Sequence, residues 1–122
     1  MTKPSNYFKE GFNCAESVIK CYNEEFNDNI PLAIGSGMGG GACSGSLCGA
    51  VNGSIVIIGY LKGRKKTGER GNANIYVQKL IREVRNKYPS EICRDLKANR
   101  VSCGEIIDFS YEVLKKLLKE DL

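Results

Sequence analysis

The stretch Gly35–Gly53, GSGMGGGACSGSLCGAVNG, limits what this chain can fold into more than any other. It carries over half of the chain's 14 glycines, two cysteines and no charge. Gly41, Gly45, Gly49 and Gly53 fall at every fourth position, and Ile57 and Leu61 continue the series. Residues four apart share one face of a helix, so the spacing predicts a helix with a bare ridge along one side. Each interior glycine costs a helix about 1 kcal/mol relative to alanine. A ridge of them therefore needs a compensating close approach, by another helix or by a ligand. Gly35, Gly37 and Gly40 also satisfy G-x-G-x-x-G, but only IPLAI precedes them and no βαβ pattern surrounds them. No acidic residue follows at the dinucleotide spacing, and no glycine-lysine-serine/threonine follows either. Nucleotide binding is excluded on that context.

The rest of the chain reads as helices. Phe8, Phe12, Ala15, Ile19, Tyr22 and Phe26 alternate at spacings of four and three, which predicts one amphipathic helix over Tyr7–Phe26, starting near Ser5. Cys14, Val18 and Cys21 form a stripe beside that face, and NDNIP ends the helix at Pro31. After the glycine-rich stretch and SIVIIGYL comes a basic loop, KGRKKTGERGN. Asn74–Tyr88 predicts a further helix with Val77, Leu80, Ile81, Val84 and Tyr88 inward. Ser90 is placed to cap a short helix, SEICRDL. Ser102 and Glu105 have capping-box spacing at the start of a last helix with Ile106, Phe109, Val113 and Leu117 inward and Ile107, Leu114 and Leu118 alongside. The expected fold is all-α: a single domain over 1–122, a bundle of about five helices with a Gly-rich loop and a glycine-ridged central helix.

Six cysteines and no histidine occur in 122 residues. The lack of histidine removes imidazole ligation, Cys-His nucleophile pairs and histidine-ligated haem together. MTKPSNYFKE lacks the pattern of a secretory signal, which predicts a cytoplasmic location. A structural disulfide framework fits that reducing compartment poorly, so metal or redox chemistry gains weight against plain buried thiols. No spacing is C-x-x-C. Cys93 and Cys103, however, each fall in the first turn of a predicted helix, where free N–H groups and the helix dipole favour thiolate.

The uncharged run Asn29–Leu61 is rich in glycine, serine and asparagine, and only Ile55–Ile58 is continuously apolar, so no membrane span is expected. The net charge is +4. Lys62, Arg64, Lys65, Lys66 and Arg70 lie in the basic loop without interleaved aromatics, which reads as a solvated connector and predicts no nucleic-acid partner.

FNCAESV at Cys14, GMGGG followed by CGAVNG at Cys48, ICRDL at Cys93 and a last cysteine at Cys103 together resemble the C_GCAxxG_C_C family of redox-active proteins. The resemblance covers nearly the whole chain, and Cys48-Gly49-Ala50-Val51-Asn52-Gly53 is its most specific part. It implies a small helical domain sharing four cysteines, here Cys14, Cys48, Cys93 and Cys103, that hold an iron–sulfur centre or act as redox thiols. Cys21 and Cys43 stand outside that set. Similar domains are fused to haem-binding segments in split-Soret cytochromes, but this chain has no C-x-x-C-H, so haem is not carried over.

The leading expectation is an iron–sulfur cluster, of the 2Fe–2S kind, on Cys14, Cys48, Cys93 and Cys103. Gly49 and Gly53 would admit backbone N–H groups close to its sulfurs. Its role would be electron transfer or redox sensing with an unidentified partner protein, rather than substrate turnover. One alternative is a thiol–disulfide protein in which Cys103 or Cys93 attacks and Cys48 or Cys14 resolves. Another is a helical interaction module, a homodimer through the glycine ridge, with buried cysteines. A cysteine-ligated zinc site completes the set.

Overall fold

Six α-helices make up the computed structural model, which describes residues 2–122: α1 Pro4–Lys9, α2 Cys14–Phe26, α3 Gly49–Lys62, α4 Ala73–Lys87, α5 Cys93–Ala98 and α6 Cys103–Leu118. A 3-10 turn at Leu32–Gly35 and a π-type turn at Gly41–Gly45 lie between α2 and α3. No strand occurs among the described residues, and one antiparallel bridge joins Leu47 to Ile92. The class is all-α, as the periodicities predict.

The N-terminal helix expected over Tyr7–Phe26 is two helices. Gly11, at φ +113, turns the chain after α1, and Asn13 then starts α2 afresh. The Asn13 side chain accepts from the Glu16 N–H at 2.8 Å, and Glu16 accepts from the Asn13 N–H at 2.9 Å, a complete capping box. Phe8 and Phe12 before α2 are partly buried against the core and Ala15, Ile19 and Tyr22 within it are buried, so most of the apolar series packs inward across the break; Phe26 at its end is half exposed. α1 is tied to α6 by Ser5, whose N–H and hydroxyl donate to the two oxygens of Asp108 at 3.0 and 2.7 Å. α2 ends where expected, with Asn27 left-handed at φ +54.

The core is shared by α2, α3, α4 and α6, with Val18, Ile19, Val51, Ile58, Leu80, Ile107 and Leu114 fully buried. Side chains of this size each contribute about 1.5–3 kcal/mol when taken out of water. The buried tyrosines keep their hydroxyls satisfied: Tyr76 donates to the Glu120 carbonyl and Tyr111 to Glu25, both at 2.8 Å.

The predicted ridge is shorter than its sequence spacing. Gly40, Gly41, Ala42 and Cys43 all have φ between +58 and +69, a left-handed turn that no right-handed helix can contain. Gly41 and Gly45 therefore lie outside α3, and only Gly49, Gly53 and Ile57 of the series share its buried face; Leu61 is half exposed. A neighbouring helix fills the ridge. A Cβ on Gly53 would lie 2.9 Å from the Ala15 carbonyl oxygen and 3.0 Å from its Cα, so α3 and α2 meet backbone to backbone.

Candidate functional site

Four cysteines from four separate segments line one cavity of about 200 Å³: Cys14, Cys48, Cys93 and Cys103. Each stands at the start of a helix. Cys14, Cys93 and Cys103 are the first residues of α2, α5 and α6, and Cys48 immediately precedes α3. Cys14, Cys48 and Cys93 are buried, while Cys103 is partly exposed. Phe8, Leu96, Val101 and Ile106 supply an apolar wall, and Gly39, Gly40 and Gly49 bring bare backbone to it.

Local structure explains this convergence. Asn13, while capping α2, also donates through Nδ2 to the carbonyls of Gly35 and Ser36 at 3.0 and 3.3 Å. The Ser36 hydroxyl donates to Glu16 at 2.7 Å. The glycine-rich segment is thus fastened to the start of α2, beside Cys14. A second fastening holds Cys48 and Cys93: the Cys48 N–H donates to the Glu91 carbonyl at 3.0 Å, and the Cys93 N–H to the Ser46 carbonyl at 2.7 Å. These bonds flank the Leu47–Ile92 bridge.

Glycine is required at two of these contacts. A Cβ on Gly41 would fall 2.6 Å from the Cys93 Cβ, and one on Gly49 would fall 3.0 Å from the Cys14 Cβ. Gly49 lines the cavity; Gly53 lies one turn further along α3, against Ala15.

The caps differ from the predicted ones in detail. Ser102 accepts from the Glu105 N–H at 3.1 Å, but the Glu105 carboxylate accepts from Tyr88 at 3.0 Å instead of returning to the helix start. Ser90 accepts from the Ile92 N–H at 3.0 Å, so α5 begins at Cys93 with Ile92 before it rather than with a serine cap.

Burial raises two of the four cavity thiols. The Cys14 thiol is pushed up to about 12, first by burial and then by the neighbouring Cys103 and Cys48, against an opposing N–H from Gly40. Burial also raises Cys48, opposed by the N–H groups of Val51 and Ala50 at the start of α3. Those donors face the sulfurs and favour thiolate once a cation or an oxidised partner is present. Among the described residues, no three His, Cys, Asp or Glu side chains gather as they would around a single metal ion.

The two further cysteines lie elsewhere. Cys21 is buried two turns along α2, donates to the Thr2 carbonyl at 3.4 Å, and is pushed up to about 11 chiefly by burial. Cys43 is exposed on the left-handed turn and does not line the cavity. Burial shields a thiol from reagent, and a raised pKa also keeps it protonated and poorly nucleophilic. At pH 8 in the metal-free protein, iodoacetamide should therefore label the exposed Cys43 first and the partly exposed Cys103 next. Cys14, Cys48 and Cys21 should react only on denaturation. Peptide mass mapping checks the order, and early labelling of Cys14 would contradict it.

Asn13 and Lys97 line the site without having been singled out as site residues from the sequence, and Gly39 and Gly40 were read only as part of the glycine-rich segment. Asn13 and Glu16 at capping-box spacing, and Lys97 four residues after Cys93, were the available signals.

A small helical protein with four cysteines from distant parts of the chain around one apolar cavity has the architecture of a redox protein. Residues 12–117 match the sequence profile of the family described as "Putative redox-active protein (C_GCAxxG_C_C)", and the chain belongs to that family. No curated protein and no solved structure is matched. No helix of the described residues is long and apolar enough to cross a membrane.

Proposed function

We propose that this redox-active protein binds an iron–sulfur cluster, of the 2Fe–2S kind, through Cys14, Cys48, Cys93 and Cys103, and serves in electron transfer or redox sensing in the cytoplasm. The observation that carries the reading is the lining of one cavity by these four cysteines, on a chain with no histidine to compete for a soft metal. Thiolates are the usual ligands of such clusters.

When bound, the cluster supplies a one-electron couple. The protein's part is to shape that couple. Buried thiols give up their protons on ligation, which links loading to pH. Gly40, Ala50 and Val51 direct N–H groups at Cys14 and Cys48, and donors to ligand sulfurs help set cluster potentials. Phe8, Leu96, Val101 and Ile106 give the cavity an apolar wall.

A second reading follows from the closeness of Cys103 to Cys14. The partly exposed Cys103 thiolate attacks an incoming disulfide, and Cys14 resolves the mixed disulfide. The products are a Cys14–Cys103 disulfide and a reduced dithiol, so the incoming sulfur pair gains the two electrons that the protein thiols lose.

Anaerobic purification separates the two. The cluster reading expects visible charge-transfer absorption with about two iron and two acid-labile sulfide per chain. A colourless, iron-free protein after attempted reconstitution would overturn it.

A further inference from the structure

Lys97 is the only charged side chain among those lining the four-cysteine cavity. It lies one turn beyond Cys93 on α5, is exposed to solvent, and forms no ion pair among the described residues. Asp95, the other charge nearest to it on α5, points about 200° away around the helix. Every other lining residue is apolar, a cysteine, a glycine or Asn13. Arg94, three residues before Lys97 on α5, donates to the Ser44 carbonyl at 3.4 Å and does not line the cavity. The one charge on the cavity wall is therefore an unpaired cation beside low-dielectric walls, an arrangement that concentrates anions. Cys103, the least buried of the four cavity cysteines, lines the same space.

We propose that Lys97 is a gate charge that makes the cavity selective for anionic redox reagents. A small thiol, disulfide or reductant bearing a carboxylate enters with that group toward Lys97 and its reacting end toward Cys103. Lys97 is a specificity-determining residue in this scheme and takes no part in bond making. The inference rests on the cavity being the reacting site and concerns the metal-free protein, in which Cys103 is a free thiol as in the second reading above.

Paired alkylation of the metal-free protein tests it. Iodoacetate and iodoacetamide react alike: the thiolate sulfur displaces iodide to form a sulfur–carbon bond, and the thiol proton passes to solvent. Only iodoacetate is an anion. The quantity read is the iodoacetate-to-iodoacetamide rate ratio at Cys103, by peptide mass mapping, with the exposed Cys43 as internal control. The ratio is used because loss of a cation also changes how readily a thiol ionises, which affects both reagents equally.

Lys97→Gln should lower the Cys103 ratio about fivefold at low salt and leave the Cys43 ratio unchanged. Lys97→Arg should retain it. Raising salt to about 1 M, where charges are screened beyond about 3 Å, should abolish the preference in the unaltered protein. Continued protection of Cys14 and Cys48 shows that each variant remains folded. An unchanged Cys103 ratio in Lys97→Gln overturns the proposal, as does a Cys103 that resists both reagents while Cys43 reacts. An iron-free protein with the expected ratios would sink the cluster and spare the gate. Iron uptake with unchanged ratios would do the reverse.

Discussion

Gly53→Val is expected to lower the stability of the protein by about 3 kcal/mol and its melting temperature by roughly 10 °C, measured by denaturant and thermal unfolding. The first added atom already falls 2.9 Å from the Ala15 carbonyl oxygen and 3.0 Å from the Ala15 Cα. Both are backbone atoms of α2, so no rotamer change relieves the overlap. α3 packs more extensively on α2 than on any other helix, and moving it away would disturb the largest helix contact in the fold. Gly59 provides the contrast on the same helix, because a Cβ there meets nothing within 4 Å. Gly59→Ala should therefore stabilise by about 1 kcal/mol through helix propensity alone. If Gly53→Ala also stabilised, the close α2–α3 contact would be wrong.

The same contact bears on function. α2 and α3 bring Cys14 and Cys48 to the cavity at their starts, and Gly49 permits the approach there that Gly53 permits one turn on. Substitution at Gly53 should consequently disturb the site through the spacing of two helices, without touching a thiol.

The sequence pattern made the helical class legible because apolar spacing depends only on which side of the chain is buried. For the same reason it hid the break at Gly11: Phe8 and Phe12 on one side of it and Ile19 and Tyr22 on the other all pack on the core, and only Gly11 and the Asn13–Glu16 capping spacing mark the restart. The four-residue glycine series misled in its first half. Gly41 and Gly45 share the period but lie in and beside a left-handed turn, whose glycines answer to close approach and positive φ rather than to a helix face.

That length error also concealed the logic of the site. Cys93 and Cys103 read as helix-start cysteines because their helices were drawn to begin within three residues of their actual starts. Cys14 and Cys48 occupy equivalent positions, but helices drawn too long placed both in interiors. Lys97 was hidden for a different reason. Its spacing of four from Cys93 puts it on the cysteine's face of α5, but only the folding of α5 beside the other three helix starts makes that face a cavity wall.

Serine replacement at each of the six cysteines should give a pattern that decides between the readings. With a cluster bound by Cys14, Cys48, Cys93 and Cys103, any one of those four changes should remove nearly all iron, sulfide and visible absorbance. Cys21→Ser and Cys43→Ser should keep them, since Cys21 lies two turns from the cavity end of α2 and Cys43 does not line the cavity. A dithiol mechanism predicts instead that only Cys103 and Cys14 are indispensable for reducing a model disulfide, with Cys48 and Cys93 replaceable. A hydroxyl at a buried cysteine position carries its own penalty of about 1–3 kcal/mol without a partner. The matching alanine variants remove the sulfur while leaving an apolar group, and circular dichroism checks that they fold. If Cys48→Ala were folded and still held its full iron and sulfide, the four-cysteine assignment would fail, because Cys48 is anchored deepest by α3 and by the strand-like bond to Glu91 and has no other thiol beside it outside the set.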